Sequence, residues 1–186
     1  VEQSQEDLLP DSIPTMQAFN TISSEFSSSS GTTYTILIET NPEYPNSTEV
    51  RDIRNPEALR FIEGVSNDIN SFDKIQSVSG PASLFQDIPS SKAGVKQTLN
   101  TLGEERWSNQ ITTDYSAAKI TVNSVEMSMD DQNEMADLIR QTVRVHDKPA
   151  GLDITYTGQT YIDQAFQAQT QETMSITGIV ALLGVI

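Results

Sequence analysis

His146 is the one histidine of the chain, and the first residue to examine for chemistry, because imidazole exchanges a proton near neutral pH. A nucleophilic triad would need that ring held between a hydroxyl and a carboxylate. His146 is instead followed by Asp147 and Lys148 at the end of a predicted helix, and reads as a dipole-facing or exposed histidine. The run Asp130-Asp131-Gln132-Asn133-Glu134 has the acidity of a calcium loop. An EF-hand also needs Gly at its sixth position and Glu at its twelfth, where this chain has Met135 and Gln141. The run therefore reads as acids gathered at the positive end of a helix. The chain has no cysteine, which removes disulfides, thiol catalysis and zinc–thiolate sites. It has no G-x-S-x-G elbow, phosphate-binding Gly-rich loop or dinucleotide fingerprint. The expectation is a domain that is catalytically silent, metal-independent and free of cofactors.

Two further groups of residues bear on binding. Leu84, Phe85, Ile88 and Trp107 are large apolar side chains in an irregular stretch. Their plain reading is a satellite of the core. If the domain handles a greasy molecule, these four are the expected substrate contacts, since pockets form where helices leave a sheet partly uncovered. Asn46-Ser47-Thr48 is a glycosylation sequon in a polar loop, which makes Asn46 a candidate acceptor if that loop faces outside. The formal net charge of -15, from 26 acids against 11 basic residues, opposes binding to nucleic acid and to an anionic lipid surface.

The elements that must position these residues follow from periodicity. Met16, Phe19, Ile22 and Phe26 predict an amphipathic helix, stopped by a serine run ending in Gly31. Thr32 to Glu39 is rich in β-branched residues and predicts a strand. Asn55-Pro56-Glu57 supplies an N-cap, a first-turn proline and a first-turn acid for a helix with a Leu59, Ile62, Val65, Ile69 stripe. A short strand is predicted near Lys74 to Ser79, closed by Gly80-Pro81. Residues 81–103 predict two short helices broken near Pro89, with Val95, Leu99 and Leu102 lining the second, and another turn at Glu104 to Asn109. Ala117 to Val125 predicts a strand. Asp130-Asp131 opens a helix whose inward stripe is Met135, Leu138, Ile139 and Thr142, with Arg140, Arg144 and Lys148 toward its negative end. Pro149-Ala150-Gly151 stops that helix, Leu152 to Thr157 predicts the last strand, and Gly158 turns the chain into a final helix. Two strand–helix–strand units predict an α+β, ferredoxin-like split βαβ sandwich with a roughly four-stranded sheet and a helical insert at about 81–110.

Residues 173–186 carry no charge, and the stretch becomes more apolar toward Ile186. A membrane helix needs roughly 20 apolar residues. The expectation is that 1–173 form one domain and that 174–186 begin a membrane helix completed beyond Ile186. With this pattern in view, the chain resembles the loop between the first two membrane helices of RND-superfamily transporters, most closely the MmpL-like, hydrophobe-exporting branch. The resemblance rests on Leu8-Leu9-Pro10 before the helix with Phe19 and Phe26, on the strand Tyr34 to Glu39, and on Ile154-Thr155-Tyr156-Thr157-Gly158 leading through Gln159 into the apolar segment Met174 to Ile186.

The resemblance implies an extracytoplasmic porter domain that helps form a substrate passage at a cell membrane. It implies proton-driven export of hydrophobic or amphiphilic molecules, with a second porter domain and membrane helices of the same chain as partners, and is compatible with a homo-oligomer. The alternative is an extracytoplasmic ligand-sensing domain of a membrane receptor. A secreted hydrolase with an unrecognised site is the third reading.

Overall fold

The computed structural model describes residues 31–40 and 50–165. In chain order these are β1 (Thr33–Thr40), α1 (Pro56–Asn70), β2 (Ile75–Ser79), a 3-10 turn (Pro81–Leu84), α2 (Lys92–Leu102), α3 (Glu104–Trp107), β3 (Ala117–Ser124), α4 (Met129–Val145) and β4 (Leu152–Thr157). A further helix, α5, covers 159–165. The sheet order is β2-β3-β1-β4, with every pair antiparallel. Each strand–helix–strand unit leaves a gap that a strand of the other unit fills, which is the split βαβ arrangement the sequence predicts. The predicted helix at Met16 to Phe26, the sequon at Asn46 and the apolar run 174–186 lie outside the described residues.

Alternation sets the faces of the sheet. Along β1, Tyr34, Ile36 and Ile38 are buried, while Thr33 and Glu39 are exposed. Along β3, Ala118, Ile120, Val122 and Ser124 are buried on the same side. The register sets Ile36 between Ile120 and Tyr156, and Ile38 between Ala118 and Ile154. These cross-strand rows are the floor on which the helices pack.

α1 forms as its cap and stripe require. The Asn55 side chain accepts the Glu57 N–H at 2.9 Å, and Leu59, Ile62, Val65 and Ile69 are buried. α4 is capped by Ser128, whose hydroxyl accepts the Asp131 N–H at 3.2 Å. Its inward stripe is Met135, Ala136, Ile139, Thr142 and Val143. Leu138, expected inside, is 37% exposed, because Ala136 and Val143 draw the stripe away from it.

The insert differs from its predicted form at its start. Its first part is one 3-10 turn followed by extended backbone at Phe85, not an α-helix. Pro89 disfavours helical backbone at Ile88, so no helix runs through. α2 then begins at its Ser91 cap and buries Val95 and Leu99, as expected. Beyond α3 the chain returns to the sheet: Lys119 donates its N–H to the Gln110 carbonyl at 2.9 Å and Thr112 donates to that of Ala117 at 2.9 Å. Residues 110–112 thereby cover the part of β3 that β2 does not reach.

Candidate functional site

The four residues expected to meet a greasy molecule all belong to the core or pack against it. Phe85 is partly buried and borders a groove of about 270 Å³ between α1 and the turn after β2. The α1 wall of that groove is polar, built from Glu63, Ser66, Asn67 and Asn70, and the buried Ser66 hydroxyl has no hydrogen-bond partner among the described residues. Leu84 and Ile88 pack partly buried against the core. Trp107 is itself core, only 5% exposed. The indole at the end of α3 turns inward and stacks on Tyr115, with ring centroids 5.3 Å apart.

That stack belongs to a layered clamp that sequence reasoning missed. The Arg54 guanidinium lies 3.8 Å over the Tyr115 ring. Its Nε donates to both oxygens of Asp52, at 2.9 and 3.0 Å, and Lys92 reaches the same carboxylate at 2.9 Å. Burial pushes the Asp52 carboxyl up, but the hydrogen bonds from Arg54 and Lys92 outweigh it and hold the group below its ordinary value. Tyr115 sits at φ 59°, left-handed backbone that non-glycine residues rarely adopt. Its N–H donates to Thr112 at 2.8 Å and its carbonyl accepts from Ile53 at 3.0 Å. Asp114 beside it is held down to about 2, by the Thr112 hydroxyl and then by the Ser116 hydroxyl and N–H. The one legible trace of this clamp is the turn chemistry of Asp114 and Ser116; the partners Asp52 and Arg54 come from a distant part of the chain.

His146 and the acidic run have structural partners. His146 Nε2 lies 2.9 Å from Asp68 Oδ2, and its ring meets Phe61 edge-on. α1 makes room for it at Gly64, where a Cβ would stand 3.0 Å from the imidazole. Among the described residues no hydroxyl is hydrogen-bonded to that ring. Asp131 bonds Lys74 at 2.7 Å and takes the Ser128 cap; Lys74 first and Ser128 second hold its carboxyl low. Among the described residues no group of His, Asp and Glu could hold a metal ion.

The junction of β4 with α5 is closely packed. Gly158 has φ +127°, and a Cβ there would stand 2.7 Å from the Thr33 carbonyl oxygen. Tyr161, 4% exposed, donates its hydroxyl to the Ala136 carbonyl at 3.2 Å. Its ring packs on Tyr34 and Tyr156, with centroids 5.9 and 5.6 Å away. Arg140 lies 4.6 Å over the Tyr161 ring and donates to Gln164 at 2.7 Å; Gln164 in turn donates to Asn133 at 3.0 Å. Burial pushes the phenols of Tyr34, Tyr156 and Tyr161 above the ordinary tyrosine range. The base of α5 is thus locked to α4 and to the sheet.

No family model matches the sequence. The chain is 26% identical over 189 residues to the protein named "Putative membrane protein MJ1562" of Methanocaldococcus jannaschii, an alignment that covers 97% of this chain and 47% of that protein. The similarity is to a membrane protein. The chain spans about half the length of this curated relative. Among the described residues no helix is long and apolar enough to cross a membrane.

Proposed function

We propose that this domain is the extracytoplasmic substrate-passage domain of a proton-driven, RND-type exporter of hydrophobic or amphiphilic molecules. The observation that carries the reading is the locked base of α5. A helix anchored on the sheet at Gly158 and on α4 through Tyr161 precedes, in the sequence, the charge-free residues 174–186. Such a joint ties a folded domain to a membrane segment, as a transporter that moves the two together requires. Similarity to a membrane protein along nearly the whole chain supports it, as does the split βαβ sandwich. In this reading the domain works beside a second domain of its kind and the membrane helices of the same protein.

The absence of cysteine gives a direct test. Lys96→Cys, at an exposed position of α2, places one thiol on this domain within the full-length protein. An impermeant maleimide should label it in intact cells, and a fluorescent amphiphile should leave energised cells in a manner that a protonophore abolishes. Labelling without protonophore-sensitive efflux would favour a ligand-sensing receptor domain. No labelling until the cells are lysed would overturn the extracytoplasmic placement.

A further inference from the structure

The second half of the sheet carries a larger and less polar groove than the one beside Phe85. It has a volume of about 450 Å³ and lies between the C-terminal turns of α4 and the edge strand β4. That volume is in the range of ~300–1,000 Å³ usual for small-molecule sites. The floor is apolar: Ile154 and Tyr156, on the helix-facing side of β4, are only partly buried, and Val143 of α4 stands beside them. The mouth carries the cations Arg144 and Lys148, with the His146 imidazole beside them.

The state of each charged group matters. Arg144, like Arg60, Lys96, Arg106 and Lys119, has no ion-pair partner among the described residues. Arg144 and Tyr156 line the same groove. Lys148 donates one N–H to the Leu152 carbonyl, which fixes the ammonium at the mouth and leaves two donors for a ligand. His146 is held by Asp68, and Asp153 is the one acid of the lining. The net charge of -15 opposes anions at a distance, but charges beyond roughly 8 Å are screened at physiological salt, so the local cations decide what enters.

We propose that this groove binds a single-chain anionic amphiphile, its acidic headgroup held by Arg144 and Lys148 and its hydrocarbon chain lying on Val143, Ile154 and Tyr156. The proposal deepens the export reading by naming a substrate class, and rests on that reading only for the fate of the ligand. Binding itself is a property of this chain.

The test is calorimetric titration of the 186-residue chain with laurate or dodecyl phosphate below their micelle concentrations. Parallel arms use dodecyl maltoside, which has the chain without the charge, and inorganic phosphate, which has the charge without the chain. Wild type should bind each anionic amphiphile saturably and one to one, and Arg144→Gln should weaken both by about tenfold or more. Lys96→Gln, an exposed cation on α2, should leave affinity unchanged. Arg144 is solvent-exposed, so its substitution leaves the core intact, and Lys148→Gln gives a second, independent variant. Equal binding of dodecyl maltoside, equal binding of inorganic phosphate, or affinity indifferent to both variants would overturn the proposal. A failed titration leaves the efflux assay standing, and failed efflux with intact binding leaves this site standing.

Discussion

The two halves of the sandwich cover the sheet by different means. In the first, α1 buries seven residues, and the insert that follows β2 returns to hydrogen-bond the rest of β3. In the second, α4 buries five, and the chain passes from β4 straight into α5. The half with an insert is closed and has a polar groove beside Phe85. The half without one keeps an apolar strip of β4 open beneath three basic side chains. Among the described residues, the apolar strip of β4 is one that no insert covers.

The comparison can be broken most directly through the core. Leu59→Ala in α1 should cost about 3–5 kcal/mol in denaturant unfolding, and Ile139→Ala in α4 about 2–3 kcal/mol, because the open side near α4 can relax into the vacated space. Equal costs, or the reverse order, would mean that the second half is as closely packed as the first. Next in size is the clamp that ties the insert to the 50–54 loop. Asp52→Asn should cost about 2 kcal/mol at pH 7. The folded-state value of Asp52 lies below its ordinary 3.8, so its contribution is present above the unfolded value and disappears as pH falls through the folded one. The gap between wild type and variant should therefore narrow below about pH 4. The smallest effect belongs to the second half. Tyr161→Phe should cost about 1 kcal/mol through the lost bond to Ala136. The raised Tyr161 phenol stabilises fully below its unfolded value of 10.0 and loses that contribution as pH rises above it. Urea midpoints measured between pH 8 and 11 should therefore fall less steeply in the variant, and parallel slopes would refute the assignment.

Much of this architecture is legible in the residues. The Asn55-Pro56-Glu57 start, the Leu59 to Ile69 stripe and the alternation of Tyr34, Ile36 and Ile38 are local signals, and each forms the predicted element. The candidate sites are less legible because they depend on partners distant in sequence. Trp107 reads from sequence as core or as a substrate contact, and its stack on Tyr115 under the Arg54 guanidinium depends on the distant 50–54 segment. Arg144 and Lys148 read correctly as cations at a helix end, but their shared groove follows from β4 being an edge strand, which strand order alone decides. Leu138 lay at the margin of a stripe whose phase was set by the neighbouring Ala136 and Val143.

The elbow at Gly158 has a mechanical consequence. Its backbone rests against the Thr33 carbonyl with no room for even a methyl group, and the first turn of α5 closes on it through the Ile162 N–H at 3.1 Å. A displacement of α5 at its base therefore meets the first residues of β1 directly. Since β1 lies in the middle of the sheet, paired on both sides, a pull arriving along α5 is shared at once with both halves of the domain.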